Sequence, residues 1–146
     1  MKKILKRVFT LVLASVLFAA PITASAAGYP DWVYVDPDGG FKSFGFDSSP
    51  YLIEKNHSGA IENNENNTYW HVNTGGHITF AVNYVYPVFC RYMIYRAAPN
   101  PEIVYYYEGE GDTTLNAGDL PAGNYTMYVI PTDRDALINF YAVDTR

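Results

Sequence analysis

Three carboxylates alternate with glycines in Glu108-Gly109-Glu110-Gly111-Asp112. On a backbone that glycine lets curl, acids at that spacing are ligands a hard cation such as calcium takes. Glu108, Glu110 and Asp112 also offer the acid pairs needed for glycoside cleavage, which requires two groups held on opposite sides of a bond. A single glycine-rich loop suits a turn or a cation cradle better, and the plainest account is a solvated acidic loop that keeps edge strands apart. Glu62 and Glu65, inside the polar run Glu62 to Asn67, are candidates for a second cation site. Asp36 and Asp38, in Asp36-Pro37-Asp38-Gly39-Gly40, could also meet one ion, although turns favour Asp for its own backbone hydrogen bonds.

Histidine and nucleophile chemistry is thinner. The histidines are His57, His71 and His77, and the last two flank the Gly75-Gly76 turn. With Glu62 or Glu65 they could hold zinc, but their spacing matches no zinc motif. No serine stands in a nucleophile-elbow context. Cys90 is the single cysteine, which excludes an internal disulfide, and its strand-like run Val88 to Met93 reads as a place for a small buried hydrophobe. Tyrosine offers more. In Tyr105-Tyr106-Tyr107 strand alternation forces at least one ring outward, and alternation around Trp70 places Tyr69 outward. Such rings stack on sugars or peptides while presenting a polar edge. The candidate binding residues are therefore Tyr69, Tyr105, Tyr106 and Tyr107, the candidate calcium ligands are Glu108, Glu110 and Asp112, and no residue is assigned a catalytic role.

The elements that must carry these residues are strands. The 14 tyrosines, the two tryptophans and abundant Val, Ile and Thr fit a pleated, half-buried surface, and no window shows sustained helical periodicity. Thr68, Trp70 and Val72 alternate with Tyr69, His71 and Asn73, and Ile78, Phe80, Val82 and Tyr84 alternate with His77, Thr79, Ala81 and Asn83. Trp70 and Phe80 must point inward. If the two strands pair directly, the apolar pattern requires an odd loop, Thr74-Gly75-Gly76; if they lie in opposite sheets, the same residues still meet in the core. Val88 to Ala97 is apolar on both faces apart from Arg91 and Arg96, the signature of a central strand. Further strands are expected at Trp32 to Val35, Phe41 to Phe46, Tyr51 to Lys55, Glu102 to Glu108, Thr113 to Leu115, Asn124 to Ile130 and Ala136 to Val143.

Residues 1–26 combine Lys2, Lys3, Lys6 and Arg7 with an apolar run from Val8 to Ala20 and end in Ala24-Ser25-Ala26. That is the pattern of a secretory signal peptide cleaved before Ala27, with a core too short for a membrane span. Of the ten Lys and Arg, the leader takes four, leaving six against 15 acidic residues, a net charge of −9. So acidic a surface repels phosphate backbones, which argues against nucleic acid and anionic membranes as partners. The 120 residues that remain of 146 suit one domain. Residues 27–55 are expected as N-terminal strands packed on a sandwich formed by residues 56–146, in a secreted monomer that is extracellular or associated with the cell wall.

Ser58-Gly59-Ala60-Ile61, Tyr69-Trp70, the Gly75-Gly76 turn, Ile78 to Val82, Tyr92 to Tyr95, Leu120 to Val129 and the closing Ala136 to Val143 together resemble the bacterial pre-peptidase C-terminal domain. The resemblance implies an all-β, mainly antiparallel, jelly-roll-like sandwich, non-catalytic, of a kind usually appended to secreted peptidases. Related collagen-binding domains use calcium before the paired strands; here that loop carries Asn64, Asn66 and Asn67 where the family has aspartates, which lowers calcium affinity. With the 120 residues after the leader suited to one domain, no attached peptidase is expected, so the module would act alone or with a separate partner. The expected function is a secreted binding or accessory module contacting an extracellular polysaccharide or protein. The alternatives are a stand-alone interaction protein, such as an inhibitor or toxin-like factor, and thirdly a small secreted hydrolase.

Overall fold

The computed structural model describes residues 30–37, 39–61, 63, 69–98 and 100–146. The leader, Asp38, Glu62 and Glu65 lie outside the described residues. Those described form no helix and eleven strands: β1 (Trp32–Val35), β2 (Phe41–Gly45), β3 (Tyr51–Ile53), β4 (Gly59–Ile61), β5 (Trp70–Val72), β6 (Gly76–Tyr84), β7 (Phe89–Ala98), β8 (Glu102–Glu110), β9 (Thr113–Leu120), β10 (Gly123–Pro131) and β11 (Ala136–Thr145). Among them no helix is long and apolar enough to cross a membrane.

The strands make two antiparallel sheets. One runs β1-β2-β11-β6-β9, with β3 also on β11; the other runs β4-β10-β7-β8, with β5 also on β10. β2 and β3 occupy successive parts of β11, and β4 and β5 successive parts of β10, so each pair is one interrupted strand. Counted that way, the sheet orders are those of the eight-stranded jelly roll, to which β1 adds an outer strand. β1 and β2 form an antiparallel hairpin, and β2 continues directly onto β11.

Alternation fixes the core. β6 reads buried at Ile78, Phe80, Val82 and Tyr84 and half-buried between them. β5 and β6 do not pair with each other: Trp70 lies across from Tyr125 of β10, while Phe80 sits between Val143 of β11 and Leu115 of β9. The Gly-Gly turn therefore carries the chain from one sheet to the other. Gly75 takes φ of 72°, in the left-handed region that glycine enters without a Cβ clash. Trp70 and Phe80 nevertheless both end inside, each 1% exposed. The Trp70 ring meets Phe44 edge-on at 6.3 Å, joining the two sheets, and its Nε1 donates to the Ile61 carbonyl at 3.0 Å. Cys90 is fully buried, and burial pushes its thiol up.

Two of the boundaries that move bear on the candidate residues and the sheet order. β8 continues to Glu110, which pairs with Phe89, so the acidic segment is mostly strand and only Gly111-Asp112 turns. The ring of Tyr107 lies across Gly109, where a Cβ would come within 2.6 Å of it, so the glycine there accommodates packing rather than loop curvature. β9 runs to Leu120 instead of stopping at Leu115, because its small polar residues pair along β6. At the β9–β10 turn, the hydroxyl of buried Tyr125 donates to the Pro121 carbonyl four residues upstream, at 2.6 Å. This bond ties the turn to the core much as the tyrosine corner does in other sandwiches. Tyr125→Phe is expected to cost about 1 kcal/mol, read as a fall in thermal midpoint.

Candidate binding face

The outer face of the five-stranded sheet is built by the residues of β7 that alternate with its core residues. Cys90, Tyr92 and Ile94 point inward; Arg91, Met93 and Tyr95 point out. Register extends each outward residue into a row across three strands. Tyr95 stands between Thr126 of β10 and Ile103 of β8, and Met93 between Tyr128 and Tyr106. Arg91 stands between Ile130 and Glu108. Tyr95 and Tyr128 meet edge-on at 6.5 Å, and Ile103 and Tyr106 are more than half exposed. Met93, Tyr95, Ile103 and Tyr128 enclose a shallow depression of about 330 Å³.

Polar groups frame this apolar centre. At one end Glu108 Oε1 accepts from Arg91 Nε at 2.9 Å and from the Tyr106 hydroxyl. The Tyr106 bond, with help from Arg91, holds the Glu108 carboxyl below the usual glutamate value, while the same bond raises Tyr106. At the other end exposed His71 lies 3.2 Å from the side-chain oxygen of Asn124. The arrangement can stack an apolar, ring-shaped surface at its middle and hydrogen-bond hydroxyls at its ends. That is the division of labour ligand sites commonly show.

Of the tyrosines expected to bind, Tyr106 is on this face. Tyr105 is half-buried and packs on the core, and Tyr107 turns toward Tyr92 at 6.0 Å between ring centroids. Tyr69 is exposed ahead of β5, outside the ladder. Sequence reasoning missed Tyr95, Tyr128, Met93 and Ile103. The signal was present in Val88 to Ala97, whose two apolar faces indicate a central strand, but among the described residues only one of those faces has a second layer over it.

The carboxylates expected to gather around calcium are held apart by separate duties. Glu108 belongs to the Arg91–Tyr106 cluster, and Glu110 ends β8 opposite Phe89. Asp112 accepts from the Tyr84 amide at 2.9 Å and from Asn83 Nδ2 at 2.6 Å. Among the described residues no three His, Cys, Asp or Glu side chains are grouped to hold a metal. Because protein donors already engage Glu108 and Asp112, millimolar calcium is expected to leave the thermal midpoint unchanged. A rise of several degrees would show that the segment rearranges into a cradle.

His71 and His77, expected near one another as a zinc pair, stand on strands of different sheets and have different partners. His71 faces Asn124, and His77 Nε2 lies 3.5 Å from Asp144 Oδ2. A polar hollow of about 460 Å³ at the edge of the six-stranded sheet is lined by Asp36, Gly39, Gly40, Thr145 and Arg146. It is larger than the aromatic depression, yet its one cation is engaged with acids, Arg146 lying 3.2 Å from Asp144 and 3.9 Å from Asp36. The aromatic face is the better candidate.

No family model matches the chain, and no curated protein matches it. Among solved structures it is similar to one described as "CBM4 structure and function", at 11% identity and a TM-score of 0.35, covering 84% of this chain and 81% of the other. It is also similar to the C-terminal CBM6 of LamC, a laminarinase of Zobellia galactanivorans, at 12% identity and a TM-score of 0.28, covering 83% and 94%. At such scores the likeness carries no argument. The class rests on the strands themselves: an antiparallel, all-β sandwich with an aromatic outer face that no described strand covers.

Proposed function

We propose that this protein is a secreted, non-catalytic module that binds an uncharged extracellular polysaccharide on the outer face of its five-stranded sheet. The observation that carries the reading is the continuous set of rows through Tyr95, Tyr128, Met93, Ile103 and Tyr106, with polar groups at both ends. A flat aromatic centre favours the apolar face of a sugar ring, and end groups such as Arg91, Glu108, His71 and Asn124 favour its hydroxyls. The acidic balance of the chain disfavours anionic polymers. The leader-like residues 1–26 support export, and the residues that resemble the pre-peptidase C-terminal domain support a non-catalytic accessory role.

Pull-down on insoluble chitin, cellulose, peptidoglycan and collagen, with affinity electrophoresis in soluble neutral glycans, tests this. Retention on a glycan that neutral oligosaccharide competes away is the expected result. No retention on any glycan, with one secreted protein co-purifying, would replace this reading with that of a protein-directed inhibitor or toxin-like factor.

A further inference from the structure

The sheet edges of this protein are not protected equally. An open edge invites pairing with another strand, and folded proteins blunt it with charges, bulges or brevity. β8 carries Glu102, Glu108 and Glu110 and a register shift beside Tyr95. β9 carries a register shift and Asp119 in a left-handed conformation at φ 54°. β4 and β5 have three residues each. β1, Trp-Val-Tyr-Val, has no charge and no proline, and all four of its residues are exposed, from 40 to 52%.

β1 is nonetheless held firmly as a strand. Asp31 accepts from both the amide and the hydroxyl of Ser48 at 2.7 Å, and Trp32 Nε1 donates to Asp47 at 3.0 Å. The Trp32 ring lies on Gly45, where a Cβ would come within 2.0 Å of it. Beyond the far end of the strand the Asp36 amide donates to Phe41, in register with Val35 opposite Lys42. Backbone groups alternate sides along a strand. Trp32 and Tyr34 therefore bond toward β2, and the amides and carbonyls of Val33 and Val35 face outward.

We infer that β1 pairs with β1 of a second copy of this chain, antiparallel about a two-fold axis at Tyr34. This dimer would replace the monomer expected from the sequence. In that register Val33 of each copy faces Val35 of the other, and these are the residues whose backbone groups have no partner among the described residues, so every bond formed in one direction is repeated in the other. Tyr34 meets its symmetry mate on the outer face, and the four valines meet on the inner one; such cross-strand aromatic and β-branched pairs stabilise sheets. Moving the register by two residues fails. One shift sets Val33 against Pro37, which has no amide to donate, and the other sets Val35 against Asp31, beside the point where Asp31 itself bonds Gly45. A ladder this short lies at the low end of specific interfaces, so the dimer is expected to form with a Kd of roughly micromolar to millimolar.

Sedimentation equilibrium of the secreted protein from about 10 μM to 1 mM tests the pairing. The expected result is a monomer that becomes a dimer with concentration. Val35→Pro removes one outward amide and breaks no bond to β2, so it should leave the thermal midpoint within a few degrees while weakening dimerisation at least tenfold. Tyr34→Lys sets two positive charges against each other across the axis and should act the same way if the proline variant folds poorly. A wild-type monomer throughout the range would overturn the inference. So would a dimer that survives both substitutions, which would place the contact elsewhere, or association only with a different secreted protein.

Discussion

Replacing Tyr95 or Tyr128 by alanine should weaken glycan binding by roughly 30-fold each, the effect of truncating an aromatic anchor worth about 2 kcal/mol. These rings stand on neighbouring strands and support each other edge-on at 6.5 Å, so each removal also frees its neighbour to rotate. The double variant should therefore lose less than the product of the single effects, because contacting residues are coupled. Tyr69→Ala, outside the ladder, should leave binding unchanged. Tyr107→Ala should lower stability rather than affinity, because its ring packs toward Tyr92. Isothermal titration with a retained oligosaccharide and a thermal melt on each variant separate the two. Full affinity in Tyr95→Ala would remove the proposed face, whatever the protein binds.

Trp70→Ala should cost about 3–5 kcal/mol, the largest single loss expected in this chain. Its ring touches Phe44 of the opposite sheet, so truncation leaves a void in the layer that joins the sheets. Domains of this size are stable by roughly 5–15 kcal/mol, so the variant would approach the limit of folding. Trp70→Phe keeps most of the apolar volume but removes the indole donor to the Ile61 carbonyl, and about 1 kcal/mol is expected from that alone. Urea titration of both variants gives the comparison, with half-exposed Trp32 as the remaining indole reporter. A loss below 1 kcal/mol in Trp70→Ala would mean the sheets are held together elsewhere.

Much of the fold was legible because strand alternation is local. Trp70, Val72, Ile78, Phe80 and Val82 identify their own inward face whatever they pair with, and all are buried. Pairing partners are not local. Nothing between Trp70 and Phe80 says that one strand joins β10 and the other β11, about 55 and 60 residues later in the chain.

The acidic segment shows the limit most clearly. Its composition reads as a loop, since glycine and carboxylates are poor strand formers. Pairing with β7 overrides that preference as far as Glu110. Once Glu108 is on a strand its side chain meets Arg91 and Tyr106, and the three acids no longer share a centre.

By itself the sequence determined the all-β class, the inward residues, the burial of Cys90 and the outward turn of at least one ring among Tyr105, Tyr106 and Tyr107, because each follows from a period of two and from the cost of burying polar groups. Only the tertiary structure decided which outward residues become neighbours. Tyr95, Tyr128 and Ile103 belong to three strands, and no spacing along the chain records a row that runs across it. The same holds at β1: Trp-Val-Tyr-Val reads as an ordinary strand, and its bare edge exists only because no described strand lies beyond it.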